Sequence, residues 1–373
     1  MKSILIQILF LLIVLIAKTP NQVLAEDCED AAKLINQGIK LSDGSAAEIS
    51  AYKEAIRKCP AMPEAYYNLG LVLSKKGELA ESLINLGKAL ELRDSPNFNL
   101  AYAHALVLNK DYLKAKLIYQ KFIEDEDFKL EALIGLAHIM SLEGKADEAT
   151  EKLFKAKDLA PQNQDVLYNL AVLLERANRL DEALLFYEST ISINSENYEA
   201  LQRAGLVSLQ LNECSRGIKY LEKAAAINPE DADTLRAVGV CYERVSQYER
   251  AEIALKKALT LEPNDVATSV NLAIVLIKTQ REFLAEEVLL KVEESKRTQK
   301  LNSALGWAQL ELGKYKSAEH SLKLALKELS SDEIAKNNLE TLYKRTGRES
   351  EISELFEGLK AIPVEKSEEP QTK

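Results

Sequence analysis

Four cysteines, three histidines and a set of arginines and asparagines are the residues here whose chemistry could go beyond solvating a surface. Thiols outside the cytosol form disulfides, paired imidazoles can ligate a metal, a guanidinium holds a carboxylate through two parallel donors, and a side-chain amide both donates and accepts. Catalysis finds no support: the chain has no His-Glu-x-x-His, no Gly-x-Ser-x-Gly and no phosphate loop closing on Gly-Lys-Ser/Thr. His104 and His138 stand 34 residues apart, yet no cysteine or carboxylate accompanies them at ligand spacing, so they read as surface lining. No metal site, no cofactor and no enzymatic activity are expected.

What could position such residues is set by the rest of the composition. Leu, Ala, Glu and Lys dominate, with only 14 Gly and 9 Pro in 373 residues, which is the mixture of many medium-length helices. Small residues recur at Gly70, Ala103, Ala137, Ala171, Gly205, Gly239, Ala273 and Gly306, at a spacing of 34 with two steps of 33. A second series runs through Ser82, Ala115, Ala149, Ala183, Gly217, Ala251, Ala285 and Ala318, and a third includes Ala55, Ala89, Ala156, Ala224, Ala258 and Ala325. Three series sharing one period define a repeat architecture.

The pattern resembles the tetratricopeptide repeat, best seen in Tyr66-Tyr67-Asn68-Leu69-Gly70, in Leu167-Tyr168-Asn169-Leu170-Ala171 and from Ala251 to Pro263. The resemblance implies an all-α, right-handed α-solenoid of about ten helix–turn–helix hairpins, each crossing its neighbour at the small residues. Gly77, Gly144, Asn178, Asn212, Gly313 and Gly347 fall where the mid-repeat turn needs a left-handed residue, and Pro60, Pro161, Pro229 and Pro263 close second helices. Phe122 and Val292 stand where a small residue is usual, so packing there is expected to be splayed. The first hairpin also departs from the pattern, with Glu48 at its second small place.

In this family the first helices line a groove that takes up peptides or partner domains. Carried onto this chain, that surface holds Asn169, Arg176, Arg203, Arg236, Arg244 and Asn271, a set able to share one extended acidic or C-terminal segment. The alternative is that the arginines pair with Glu175, Glu199, Asp233 and Glu243 and only keep the inner face soluble. The family's clamp for a terminal carboxylate, basic residues with Asn across three successive units, has no match here. Trp307 occupies the same place as His104 and His138, as a contact residue or a filler. Hairpin geometry brings Cys28 beside Cys59 for a disulfide and Cys214 near Cys241 about a turn out of step; otherwise all four are small buried hydrophobes.

Lys2 precedes an apolar run from Ile4 to Ala17, and a polar segment then ends in Val23-Leu24-Ala25. Such a run gives only about 21 Å of helix against a hydrocarbon core of about 30 Å, so residues 1–25 read as a cleaved signal peptide rather than an anchor. The expected organisation is then a repeat array over 26–362 and a disordered tail over 363–373, exported to a periplasmic or extracellular space, with a bacterial source. Losing Lys2 and Lys18 takes the formal net charge from −10 to −12, which disfavours nucleic acid as a partner. No transmembrane span is expected in the mature chain. The partner is a protein or peptide, with self-association into an envelope assembly as the second reading.

Overall fold

The computed structural model describes residues 20–352, with side chains from residue 27 onward. Among the described residues every regular element is helical, and the chain divides into two compact units, ending at Leu173 and beginning at Leu174. In the first unit α1 (Pro20–Leu41) pairs with α2 (Ala46–Lys58), α3 (Pro63–Lys75) with α4 (Leu79–Leu92), α5 (Pro96–Leu108) with α6 (Tyr112–Lys121), and α7 (Lys129–Leu142) with α8 (Ala146–Leu159). The division falls inside α9 (Gln164–Arg176). The second unit continues with α10 (Leu180–Ile193), then pairs α11 (Tyr198–Gln210) with α12 (Cys214–Ile227) and α13 (Ala232–Arg244) with α14 (Tyr248–Leu261). It ends with α15 (Val266–Lys278) on α16 (Glu282–Leu290), α17 (Gln299–Glu311) on α18 (Tyr315–Glu328), and α19 (Glu333–Arg345). None of these helices is long and apolar enough to cross a membrane. The expected signal run at Ile4–Ala17 and the tail at 363–373 lie outside the described residues.

Small residues explain how the hairpins close. Every alanine of the three series is buried, and Ser82 donates its hydroxyl proton to the Gly70 carbonyl at 2.7 Å. Opposite Gly70, Gly205, Gly239 and Gly306 stand Leu86, Leu221, Leu255 and Leu322, each fully buried and each so close that a Cβ on the glycine would fall under 3 Å from it. Side chain and absent side chain are complementary, which is the jigsaw fit a close-packed interior requires.

The turns within hairpins adopt the left-handed conformation at the six expected Gly and Asn positions, and also at Lys110, Ser246 and Gln280. A non-glycine residue there costs about 1–2 kcal/mol, so the hydrogen bonds across the turn, such as Gln247 N–H to the Tyr242 carbonyl at 2.8 Å, override the local preference. At Phe122 and Val292 the bulky residues fall outside the second helices. The second helices simply stop short, at Lys121 and Leu290, after 10 and 9 residues where others run to 13 or 14. Phe122 becomes the helix cap and stands edge-on to Phe128 with ring centroids 6.0 Å apart, while Val292 is buried beyond the helix end.

The first hairpin starts earlier than the repeat pattern implies. Pro20 opens α1, a position suited to a residue with no N–H and a fixed φ, and Cys28 therefore lies inside that helix rather than at its start. Cys28 is bonded to Cys59, the cap of α2, with the Cα atoms 4.9 Å apart. Glu48, out of place in the repeat, is buried with a purpose: Ser45 caps its N–H at 3.1 Å while its carboxylate accepts from the Gly44 N–H at 2.7 Å, a variant of the capping box.

Candidate functional site: the first helices of the second unit

Register along the first helices is fixed by the glycine and alanine series, and one step beyond each small residue lies Leu206, Val240, Ile274 and Trp307, one per successive hairpin. All four are half-buried, and Leu206, Ile274 and Trp307 pack down onto the core formed by α12 to α17. Trp307 is thus both a filler against the core and part of an apolar row open to solvent.

Polar groups flank this row in pairs that cross from one hairpin to the next. The Arg203 guanidinium donates through Nη1 to both carboxylate oxygens of Glu175, at 3.1 and 3.3 Å, and Glu175 also accepts from the Tyr187 hydroxyl at 2.5 Å. Arg236 is held by Asp233 on its own helix and donates to Asp265 at 3.3 Å on the next. At Asp265 burial is the largest influence and pushes the carboxyl upward, but the Thr268 hydroxyl and N–H together with Arg236 hold it below its ordinary value. Arg244 reaches back to the Leu209 carbonyl at 3.1 Å and the Asn212 side-chain oxygen at 3.2 Å, and Lys278 pairs with Glu243. Arg176 is exposed at the end of α9 and Asn271 is half-buried in α15. Five of the six sequence-selected residues therefore belong to the second unit, whereas Asn169 is exposed in the first.

Of the carboxylates the sequence suggested, Glu175 engages Arg203 and Asp233 engages Arg236, Glu243 pairs with Lys278 instead, and Arg236 adds Asp265 from the next hairpin. These ion pairs are partly exposed, with Arg203 at 39% and Arg236 at 29% of side-chain surface, so each is worth about 0–1 kcal/mol and can be exchanged for a ligand carboxylate at small cost.

Sequence reading missed the aspartates that start first helices. Asp231 caps α13 and also accepts from Tyr198 and, at 2.6 Å, from the Gln202 amide of the preceding first helix. Asp265 does the same with Arg236, and Asp332 with Gln299. The signal was present as Asp-x-x-Thr at Asp231–Thr234 and Asp265–Thr268, a capping pattern.

In the first unit Asn68 donates its amide to the Glu64 carbonyl at 2.8 Å. His138 is held below its ordinary pKa by desolvation, then by the nearby His104. Among the described residues no group of three or more His, Cys, Asp or Glu converges to hold a metal ion. Cys214 and Cys241, expected as a second disulfide or as buried hydrophobes, are thiols, both buried.

Residues 49–77 match the family described as TPR repeat, and residues 143–198 and 203–266 match the one described as tetratricopeptide repeat. Among curated proteins the chain is 26% identical over 138 residues to anaphase-promoting complex subunit 3 of Schizosaccharomyces pombe, covering 36% of this chain. It is 28% identical over 159 residues to a TPR repeat-containing protein of Methanocaldococcus jannaschii, covering 40% of this chain. The matches span only 20% and 28% of those relatives' lengths. Similar solved structures include a tetratricopeptide repeat protein from Parabacteroides merdae, at 19% identity and TM-score 0.45 over 66% of this chain and 98% of that one. MamA of Desulfovibrio magneticus gives 19% identity and TM-score 0.43 over 47% of this chain and 99% of that one.

Proposed function

We propose, taking the tetratricopeptide repeats as premise, that this chain is a non-catalytic binding scaffold whose second unit takes an extended protein segment along its first helices. The observation that carries the reading is the half-buried row Leu206, Val240, Ile274 and Trp307, flanked on successive helices by Arg203, Arg236, Arg244 and Asn271. Apolar side chains of the partner lie on the row, and its carboxylates exchange into the guanidinium pairs. Charge-assisted bonds of this kind contribute about 1.5–3 kcal/mol when shielded from water, more than the exposed pairs they displace.

Trp307 is the chain's one tryptophan, so its emission reports occupancy of the row directly. Arg203→Ala with Arg236→Ala leaves the melting temperature within a few degrees of the parent and weakens an acidic partner captured from the native source by tenfold or more, with a shallower salt dependence. Equal affinity and equal salt sensitivity in the double variant place the ligand elsewhere.

We further place the protein in an exported compartment. The charged start, apolar run and Val-x-Ala end support this, as does the Cys28–Cys59 bond, since disulfides persist outside the cytosol. Cleavage after Ala25 leaves Glu26 and Asp27 in the first turn of the shortened α1, where acidic residues complement the helix dipole. Amino-terminal sequencing of native protein gives Glu26 on this reading; an intact Met1 in a cytosolic fraction overturns it.

A further inference from the structure

Cys214 opens α12 and Cys241 lies in the last turn of α13, on adjacent hairpins. Both thiols are buried, at 4% and 0% exposure, in the same core cluster. Gly217, one turn beyond Cys214, permits this approach: a Cβ there would stand 3.1 Å from the Gly205 carbonyl oxygen, 3.2 Å from the Ser208 Cβ and 3.5 Å from the Cys241 Sγ. The pair is not sealed off. A cleft of about 420 Å³ opens at the start of α12, lined by Cys214 together with Asn212, Ser215, Arg216 and Arg244, and of the two cysteines it is Cys214 that lines it. Burial, then the neighbouring Cys214, pushes the Cys241 thiol above its ordinary pKa, against an opposing pull from Arg244. The guanidinium of Arg216 is held by Glu188 and Glu213.

We propose that Cys214 and Cys241 form a reversible dithiol–disulfide site that reacts with a small hydroperoxide admitted through this cleft. The Cys214 thiolate attacks the peroxide oxygen, the O–O bond breaks, and the leaving alkoxide takes a proton to become the alcohol, leaving a sulfenic acid on Cys214. The Cys241 sulfur then attacks the Cys214 sulfur; the S–S bond forms, the S–O bond breaks, and hydroxide departs with the thiol proton as water. Two thiols are oxidised by two electrons and one hydroperoxide is reduced. Unlike the Cys28–Cys59 bond, which closes one hairpin on itself, this bond ties the second helix of one hairpin to the first helix of the next, one turn before Arg244 on the proposed binding surface.

The test uses the purified full chain with Cys28–Cys59 intact, treated with hydrogen peroxide and then alkylated in denaturant. The site loses both alkylatable thiols together, and tryptic digestion yields Ala204–Arg216 joined to Ala237–Arg244, separated again by dithiothreitol. Cys241→Ser stops the reaction at a sulfenic acid on Cys214 that dimedone traps; Cys214→Ser slows modification of Cys241 by tenfold or more. Loss of one thiol without the other in the parent chain, bonds between chains, or survival of both thiols in the folded protein at peroxide levels that join them in urea overturns the proposal. Parent-chain peptide mapping decides the matter even if the Cys241→Ser core variant fails to fold.

Discussion

Gly239→Leu destabilises the second unit by about 3 kcal/mol or more, at the upper end of the overpacking range, while Gly87→Ala changes stability by less than about 1 kcal/mol and in the stabilising direction. The two glycines sit in helices of the same kind of hairpin and differ in what faces them. A Cβ on Gly239 would stand 2.7 Å from the Leu255 Cγ and 2.9 Å from its Cδ2, with the Ala251 carbonyl oxygen at 3.4 Å behind. Leu255 is fully buried and has no alternative space, so α13 and α14 must separate. At Gly87 the nearest atom is the Tyr102 ring edge at 3.9 Å, ordinary contact, and alanine gains helix propensity. Urea denaturation followed by circular dichroism measures both. If Gly239→Leu melts like the parent, the close crossing of α13 on α14 is wrong.

Cys28→Ser with Cys59→Ser costs the first hairpin about 2–4 kcal/mol, because the bond closes a loop of 31 residues and removes that closure entropy from the unfolded chain. In a stack of hairpins the loss is felt locally. Hydrogen exchange in α1 and α2 accelerates about thirtyfold or more at ~1.4 kcal/mol per factor of ten, while α13 and α14 keep the parent rates. Unchanged exchange in α1 shows that packing of Tyr52 under Gly38 already holds the hairpin without the bond.

Periodicity made the fold legible because hairpin contacts recur at a fixed distance along the chain: Gly70 and its successors could be read as crossings from their spacing alone. Local exceptions were harder. Phe122 and Val292 announced a bulky residue at a crossing, but not that α6 and α16 would end before reaching it. Lys110, Ser246 and Gln280 carry no preference for the left-handed turn they adopt, and only the helices on either side impose it. Among the candidate site residues, placement on first helices followed from the repeat. Their partners did not: Arg244 finds Asn212, and Arg236 finds Asp265, across hairpins and 29 or more residues away, where helix rotation rather than sequence spacing decides the contact.

The helix-starting aspartates carry an implication for how such a chain lengthens. Asp231 and Asp265 each complete their own helix and at the same time receive a donor from the hairpin before, Gln202 or Arg236. One hairpin thus brings a socket at its leading end and a plug in its first helix, and the hairpin of α13 and α14 holds both, Asp231 and Arg236. A head-to-tail fitting of this sort leaves a socket free at one end and a plug at the other, so the row can be extended unless its rotation closes a ring. Tandem duplication of a single gene segment therefore inserts a new hairpin with its fittings already matched on both sides. No interface has to be invented at the new junction.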